Sequence, residues 1–223
     1  MIKELYWDSN FFGYKVGRID INDNQSVISN FEKTNYRLVY VFSELEIVNL
    51  SPIDKKVNFE KIIRSSIEID NEIIEFDCTK HNYSELLNLA YLSGIYSRFN
   101  LDKAFSESDF KRMYQIWIDE SIKKNIAFSI LVRIIDKTIA GFVTIEKKNE
   151  NTSRIGLISV APNFQGKGIA SQLIFSAEKE SSLHGYKNLE VATQYNNKPA
   201  MQLYKKNGFA IKSITNIYHI WNK

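Results

Sequence analysis

Short apolar runs, alternating or continuous, predict strands over 14–21, 37–42, 57–63 and 73–76, with a short helix over 25–34 between the first two. Ser84 reads as the cap of a helix whose Leu86, Leu87, Ala90 and Tyr91 form an apolar stripe up to Gly94. Ser106, followed three residues on by Asp109, opens a second helix, and Phe110, Met113, Tyr114, Trp117 and Ser121 share one face of it through Ile122. Two strands follow, 128–135 and 138–146, joined tightly at Asp136-Lys137, and a third over 154–160 is stopped by Ala161-Pro162. A helix then runs from Gly168 to His184-Gly185. Next come a strand over 189–193, a helix with Pro199 in its first turn and Asn207-Gly208 at its end, and two terminal strands over 210–214 and 217–221. Ahead of the first strand, Tyr6, Trp7, Phe11 and Phe12 crowd into one segment, a density that fits core or interface packing. The succession predicts an α/β (α+β) chain with a mixed central sheet flanked by helices. The pattern restarts near Arg98, which divides it into 1–98 and 99–223.

The junction between the 154–160 strand and the helix after it carries the clearest chemistry. Gln165-Gly166-Lys167-Gly168-Ile169-Ala170 sits where the first N–H groups of a helix have no intrahelical acceptor and the peptide dipoles add partial positive charge. Such a turn can hold a phosphate or diphosphate, with the glycines admitting it to the main chain and Lys167 adding a cation at the rim. The same residues also fit an ordinary strand-turn-helix connection. Neither GxxxxGK with a following Ser or Thr nor GxGxxG is present, so the nucleoside triphosphatase loop and the dinucleotide fold are excluded.

Gln165-x-x-Gly168-x-Ala170 after a strand, with Asn197-x-x-Ala200-x-x-x-Tyr204-x-x-x-Gly208-Phe209 downstream, resembles the GCN5-related N-acetyltransferase (GNAT) superfamily. The resemblance implies a GNAT fold and acetyl-CoA as cosubstrate, with no metal. It implies that Gln165, Gly166, Lys167, Gly168, Ile169, Ala170 and Ser171 form the diphosphate loop. It further implies that the backbone of Ile158, Ser159 and Val160 pairs with the pantetheine arm and thioester, that Asn197 lies near the pantetheine, and that Tyr204 is catalytic beside the sulfur. Packing of Tyr204 on the sheet is the alternative. Seven residues separate Asn197 from Tyr204, two helical turns, which lets both face one groove.

A narrower likeness lies in Trp7-Asp8-Ser9-Asn10-Phe11-Phe12-Gly13, Tyr96-Ser97-Arg98-Phe99 and Tyr114-x-x-Trp117, which resemble the TDP-fucosamine acetyltransferase family. That resemblance implies a smaller, incomplete GNAT-like N-terminal domain before the catalytic one. It also implies acetylation of the 4-amine of a dTDP-4-amino-4,6-dideoxyhexose, with Arg98 toward the acceptor's diphosphate and Trp7 and Phe12 at the pocket wall. A surface or junction role for Arg98, and packing for the aromatics, remain alternatives. So do another small amine or a protein N-terminus as acceptor, and a non-catalytic acyl-CoA-binding module.

Composition narrows the setting. In 223 residues, 44% hydrophobic, there is enough apolar material for a core without staples. With 29 basic against 26 acidic residues the net charge is +3, too balanced for nucleic acid yet compatible with anionic small ligands. The single Cys78, read as a small buried residue, and a start without a signal-peptide core predict a cytoplasmic protein. The expected partner is thus a nucleotide sugar, with neither nucleic acid nor membrane and with a homodimer left open. Of the three histidines, His184 suits a helix end, and neither His81 nor His219 stands in an acid-base motif; Glu44 and Glu146 are carboxylates that could serve as base.

Overall fold

The computed structural model describes residues 2–21, 35–63 and 72–222, and the helix expected over 25–34 lies outside them. The chain divides into two compact units. One takes residues 1–57, 194–196 and 213–223, and the other takes 58–193 and 197–212. The division therefore differs from the expected boundary at 98/99. Contacts rather than chain order define a unit: the last strand pairs with an N-terminal one, while the segment after residue 57 belongs to the second unit.

The first unit holds β1 (Lys3–Glu4), α1 (Tyr6–Phe12), β2 (Val16–Ile21), β3 (Leu38–Ser43) and most of β10 (Ala210–Trp221). Its strands lie in the order β1-β2-β3-β10, with β2 parallel to β3 and the other two pairs antiparallel. Ile19, Ile21, Val39, Val41, Ile47 and Tyr218 form its core, and the Ile47 N–H donates to the Tyr218 hydroxyl at 2.9 Å. The aromatic segment is the helix α1, closed by Gly13 at φ 76°, and none of its residues is buried. Residues 210–221 make one strand where two were expected, because no residue at 215–216 turns the chain.

The second unit orders its strands β4 (Asp54–Ile62), β9 (Asn188–Gln194), β8 (Thr152–Val160), β7 (Thr138–Asn149), β6 (Ala127–Ile135) and β5 (Ile73–Glu75). The division itself falls within β4. β6 and β7 turn at Asp136 and Lys137, both at positive φ (49° and 65°), the conformation of a two-residue hairpin turn. Helices α2 (Tyr83–Ser93) and α4 (Glu107–Ile122) bury Leu86, Leu89, Ala90, Phe110, Tyr114 and Ile118 against Ile130, Val132 and Phe142. The cap of α2 is Asn82, not Ser84: its side chain accepts from the Ser84 N–H at 2.9 Å, and the start moves back accordingly. Between these helices lies the short α3 (Arg98–Leu101). On the opposite sheet face α5 (Ile169–Leu183) approaches β7 so closely that a Cβ on Gly141 would meet Leu173 and Ile169. The last helix is α6 (Lys198–Lys206). The expected mixed sheet flanked by helices is thus the observed architecture.

Candidate active site

Strands β8 and β9 are paired over only part of their length. The parallel ladder joins Thr152, Ser153, Arg154 and Ile155 to Asn188, Leu189, Glu190 and Val191 and then stops, although β8 continues to Val160 and β9 to Gln194. The other edge of β8 stays paired to β7 out to Val160. A bulge at the parting point re-aims the strand. Between Val143↔Ile158 and Ile145↔Ile155, the single β7 residue Thr144 faces Gly156 and Leu157, and its hydroxyl accepts the Leu157 N–H at 2.8 Å.

Beyond the bulge, alternation sets what the open edge offers. The Ala161 N–H donates to the Ala140 carbonyl at 2.8 Å, so residue 161 and, two back, Ser159 turn their peptide groups toward β7. Ile158 and Val160 then turn theirs toward the gap. Of the three backbone positions named from the sequence, these two line the open edge. Ser159 instead has a buried hydroxyl without a hydrogen-bond partner among the described residues. The Val160 carbonyl is taken by the side chain of Gln165 at 3.1 Å, which folds the loop back on the strand end.

The loop itself is a 3-10 turn, Pro162–Phe164, followed by Gly166 and Gly168 at φ 75° and 84°. Positive φ, not crowding, calls for glycine here, since a Cβ at either position would have nothing within 4 Å. Gly168 caps α5 without any side-chain bond, and the first helical donors, Ser171 and Gln172, both reach the Gly168 carbonyl. The N–H groups ahead of them therefore point out of the helix start. Lys167 stands exposed at the rim with its ammonium 5.2 Å from the Phe164 ring centroid. Main-chain donors, a helix dipole and one cation together form a cradle that could hold an anion such as a diphosphate.

Asn197 is the N-cap of α6, its side-chain oxygen accepting the Ala200 N–H at 3.2 Å. Tyr204, two turns on, is 3% exposed between the rings of Phe59 and Phe209. Burial pushes its phenol well above the usual tyrosine range, so it is neutral at any working pH. The pKa gap between phenol and thiol is correspondingly wider than for free groups, and a hydrogen bond to a departing sulfur is easier for this group than full proton transfer.

The remaining candidates are dispersed. Trp7 and Phe12 belong to the first unit, in a run of ring contacts through Phe11 to Tyr14, whereas Arg98 opens α3 in the second with its guanidinium over the Phe99 ring. His184 caps the end of α5 as expected, its Nδ1 2.9 Å from the Glu180 carbonyl oxygen; the His81 ring accepts the Asp77 N–H, and His219 lies in β10 against Tyr40. Glu44 is exposed in the first unit. Glu146 is buried at the bulge, engaged by Arg154 at 2.6 Å, and its other oxygen lies 2.0 Å from where a Gly156 Cβ would stand. Cys78 is exposed, not buried, because it falls in the turn after β5. It lines a cavity of about 560 Å³ with Phe76, His81, Ile122 and Ile130, which shares no residue with the glycine loop. Thr144, Gly156 and Leu157 are the residues sequence reading missed, and a glycine inside a strand pattern was their signal.

The acetyltransferase (GNAT) family model matches residues 90–209, just over half of the chain. The chain belongs to the GNAT family. Among relatives of this GNAT protein, the spore coat polysaccharide biosynthesis protein SpsD of Bacillus subtilis is 25% identical over 56% of the chain and 43% of its own length. The dTDP-fucosamine acetyltransferase of Escherichia coli is 27% identical over 49% of the chain and 51% of its own. The chain thus spans about half the length of the curated relatives it matches. A solved tandem GNAT protein from the clavulanic acid biosynthesis pathway has a TM-score of 0.59 at 10% identity, over 94% of this chain and 76% of that one, a likeness of fold. Among the described residues, no group of three or more His, Cys, Asp or Glu could hold a metal ion, and no helix is long and apolar enough to cross a membrane.

Proposed function

We propose that this GNAT protein transfers the acetyl group of acetyl-CoA to a primary amine by direct attack in a ternary complex. The acceptor in this reading is the 4-amine of a dTDP-4-amino-4,6-dideoxyhexose. The parting of β8 from β9 carries the reading, because among the described residues it leaves the Ile158 and Val160 N–H groups without a β9 partner, at an edge that leads through the loop to the start of α5. A pantetheine arm laid along that edge would continue the interrupted ladder, with its diphosphate at the N–H groups before Ser171. An edge N–H aimed at the thioester oxygen would stabilise the tetrahedral intermediate formed as the amine nitrogen bonds to the carbonyl carbon. As that intermediate collapses the C–S bond breaks, and Tyr204 donates a hydrogen bond to the leaving sulfur. Overall, one amine proton replaces the acyl group on sulfur.

The sugar acceptor is supported by the likeness to the dTDP-fucosamine acetyltransferase and by the polysaccharide-biosynthesis relative. Arg98 is the candidate for the acceptor's diphosphate, and no role is assigned to Trp7 or Phe12. The test is thiol release from acetyl-CoA, with product masses, across dTDP-4-amino-4,6-dideoxyhexoses, simple amines and a peptide. One nucleotide sugar gaining an acetyl mass is the expected result; release only with another amine would remove the sugar. Silence throughout would remove the transferase. In the same assay Tyr204→Phe should lower kcat about 100-fold with CoA affinity retained, and unchanged kcat would take Tyr204 out of the chemistry.

A further inference from the structure

The C-terminal end of α6 is tied to the first turn of α5 through one side chain. Asn207, 7% exposed, donates from Nδ2 to the Ser171 hydroxyl oxygen at 3.1 Å and to the Leu203 carbonyl at 2.8 Å. Its own carbonyl accepts from the Lys61 ammonium at 3.0 Å, and Lys61 is paired with Glu178 at 2.6 Å. That pair is almost wholly enclosed, with side chains 4% and 1% exposed. An ammonium and a carboxylate so far from water hold their geometry tightly, because either one left alone would be strongly destabilising.

A serine hydroxyl has one proton to give and two lone pairs. With Asn207 donating to its oxygen, Ser171 keeps that proton, and no acceptor among the described residues takes it. Ser171 stands in the first turn of α5, directly after the N–H groups left open by Gly168. We propose that Asn207 is a positioning residue for the cosubstrate's diphosphate: held by Lys61 and Glu178, it fixes Ser171 as a hydroxyl donor into the cradle. This rests on the acetyl-CoA reading above. It explains why an asparagine whose side-chain amide N–H groups and backbone carbonyl are all engaged closes the helix that carries Tyr204: one residue ties the end of α6 to the donor set of α5.

Calorimetric titration with CoA tests it on the unaltered protein, Ser171→Ala, Ser171→Thr, Asn207→Ala and the Ser171→Ala/Asn207→Ala double variant, each with its ligand-free thermal midpoint. Ser171→Ala and Asn207→Ala should each weaken CoA binding about tenfold, the worth of one hydrogen bond to a charged group. The double variant should bind no worse than either single one, since both remove the same donor. Ser171→Thr, which keeps the hydroxyl, should bind like the unaltered protein. A loss caused only by loosened packing would follow the thermal midpoints and would add in the double variant, which overturns the relay. Unchanged affinity in Ser171→Ala overturns it as well, and needs no Asn207 variant to fold. Failure of the unaltered protein to bind CoA would overturn the cosubstrate reading itself, before any substitution is considered.

Discussion

Helix α4 begins at Ser106, whose hydroxyl oxygen accepts the Asp109 N–H at 3.0 Å while the Asp109 carboxylate accepts the Ser106 N–H in return. Helix α5 begins at Gly168, with no side-chain cap and no acidic residue in its first turn. Both starts face the same shortage of acceptors for their first N–H groups, and both carry the positive end of a helix dipole. In α4 the chain answers from within: a capping box satisfies the donors, and acids at Glu107 and Asp109 sit on the dipole. In α5 the donors are left to something from outside, and the adjacent side chain is a cation. A helix start capped from within and a helix start proposed to bind an anion thus call for opposite residues, and this chain has both patterns.

The sharpest way to break the contrast is to deform the open start. Gly168→Val would place a β-branched residue at φ 84°, a strain of about 1–3 kcal/mol. The thermal midpoint should fall by several degrees, and the CoA dissociation constant should rise about 100-fold as the displaced N–H groups cease to converge on the diphosphate. A lowered midpoint with CoA affinity intact would mean that the glycines only make a turn. Reversing the charge is gentler. Lys167→Glu alters an exposed side chain, so the midpoint should stay where it is, while CoA binding weakens about tenfold in low salt and recovers part of that loss at high ionic strength. Salt-independent weakening would remove Lys167 from the cradle.

Much of this contrast is legible in the sequence. Ser106 with Asp109 reads as a capping box, and the glycines at 166 and 168 read as an open strand-to-helix turn, because both signals are local and involve residues with few other uses. The hairpin at Asp136-Lys137 is legible for the same reason. What the sequence hides is pairing. Nothing in residues 154–160 says that β8 leaves β9 after Ile155, since the hydrophobic pattern is the same whether a strand edge is paired or open. Gly156 hints at the bulge, but its partner Thr144 is identified only by the register. The division of the chain is hidden too, because β10 joins the N-terminal sheet from the far end of the sequence. Asn207 looks like a helix terminator beside Gly208, and its reach to Ser171, 36 residues earlier, is a fact of packing. At α2 the error was purely local: Asn82 and Ser84 are both good caps, and the structure uses the earlier one.

The closed start provides the smallest and most discriminating change. Ser106→Ala removes the hydroxyl that accepts the Asp109 N–H and leaves the Asp109 carboxylate still able to meet the Ser106 N–H and Arg112. Half of the box survives, so the cost should be about 1 kcal/mol, a shift of a few degrees in the thermal midpoint. CoA affinity should not move, because α4 packs on the sheet face opposite α5 and none of its first turn belongs to the cradle. The pairing with Lys167→Glu then decides the matter: one substitution should change the midpoint and spare CoA, the other should change CoA and spare the midpoint. If both moved the same quantity, the two helix starts would share one role, and the cradle would be a feature of the fold rather than of binding.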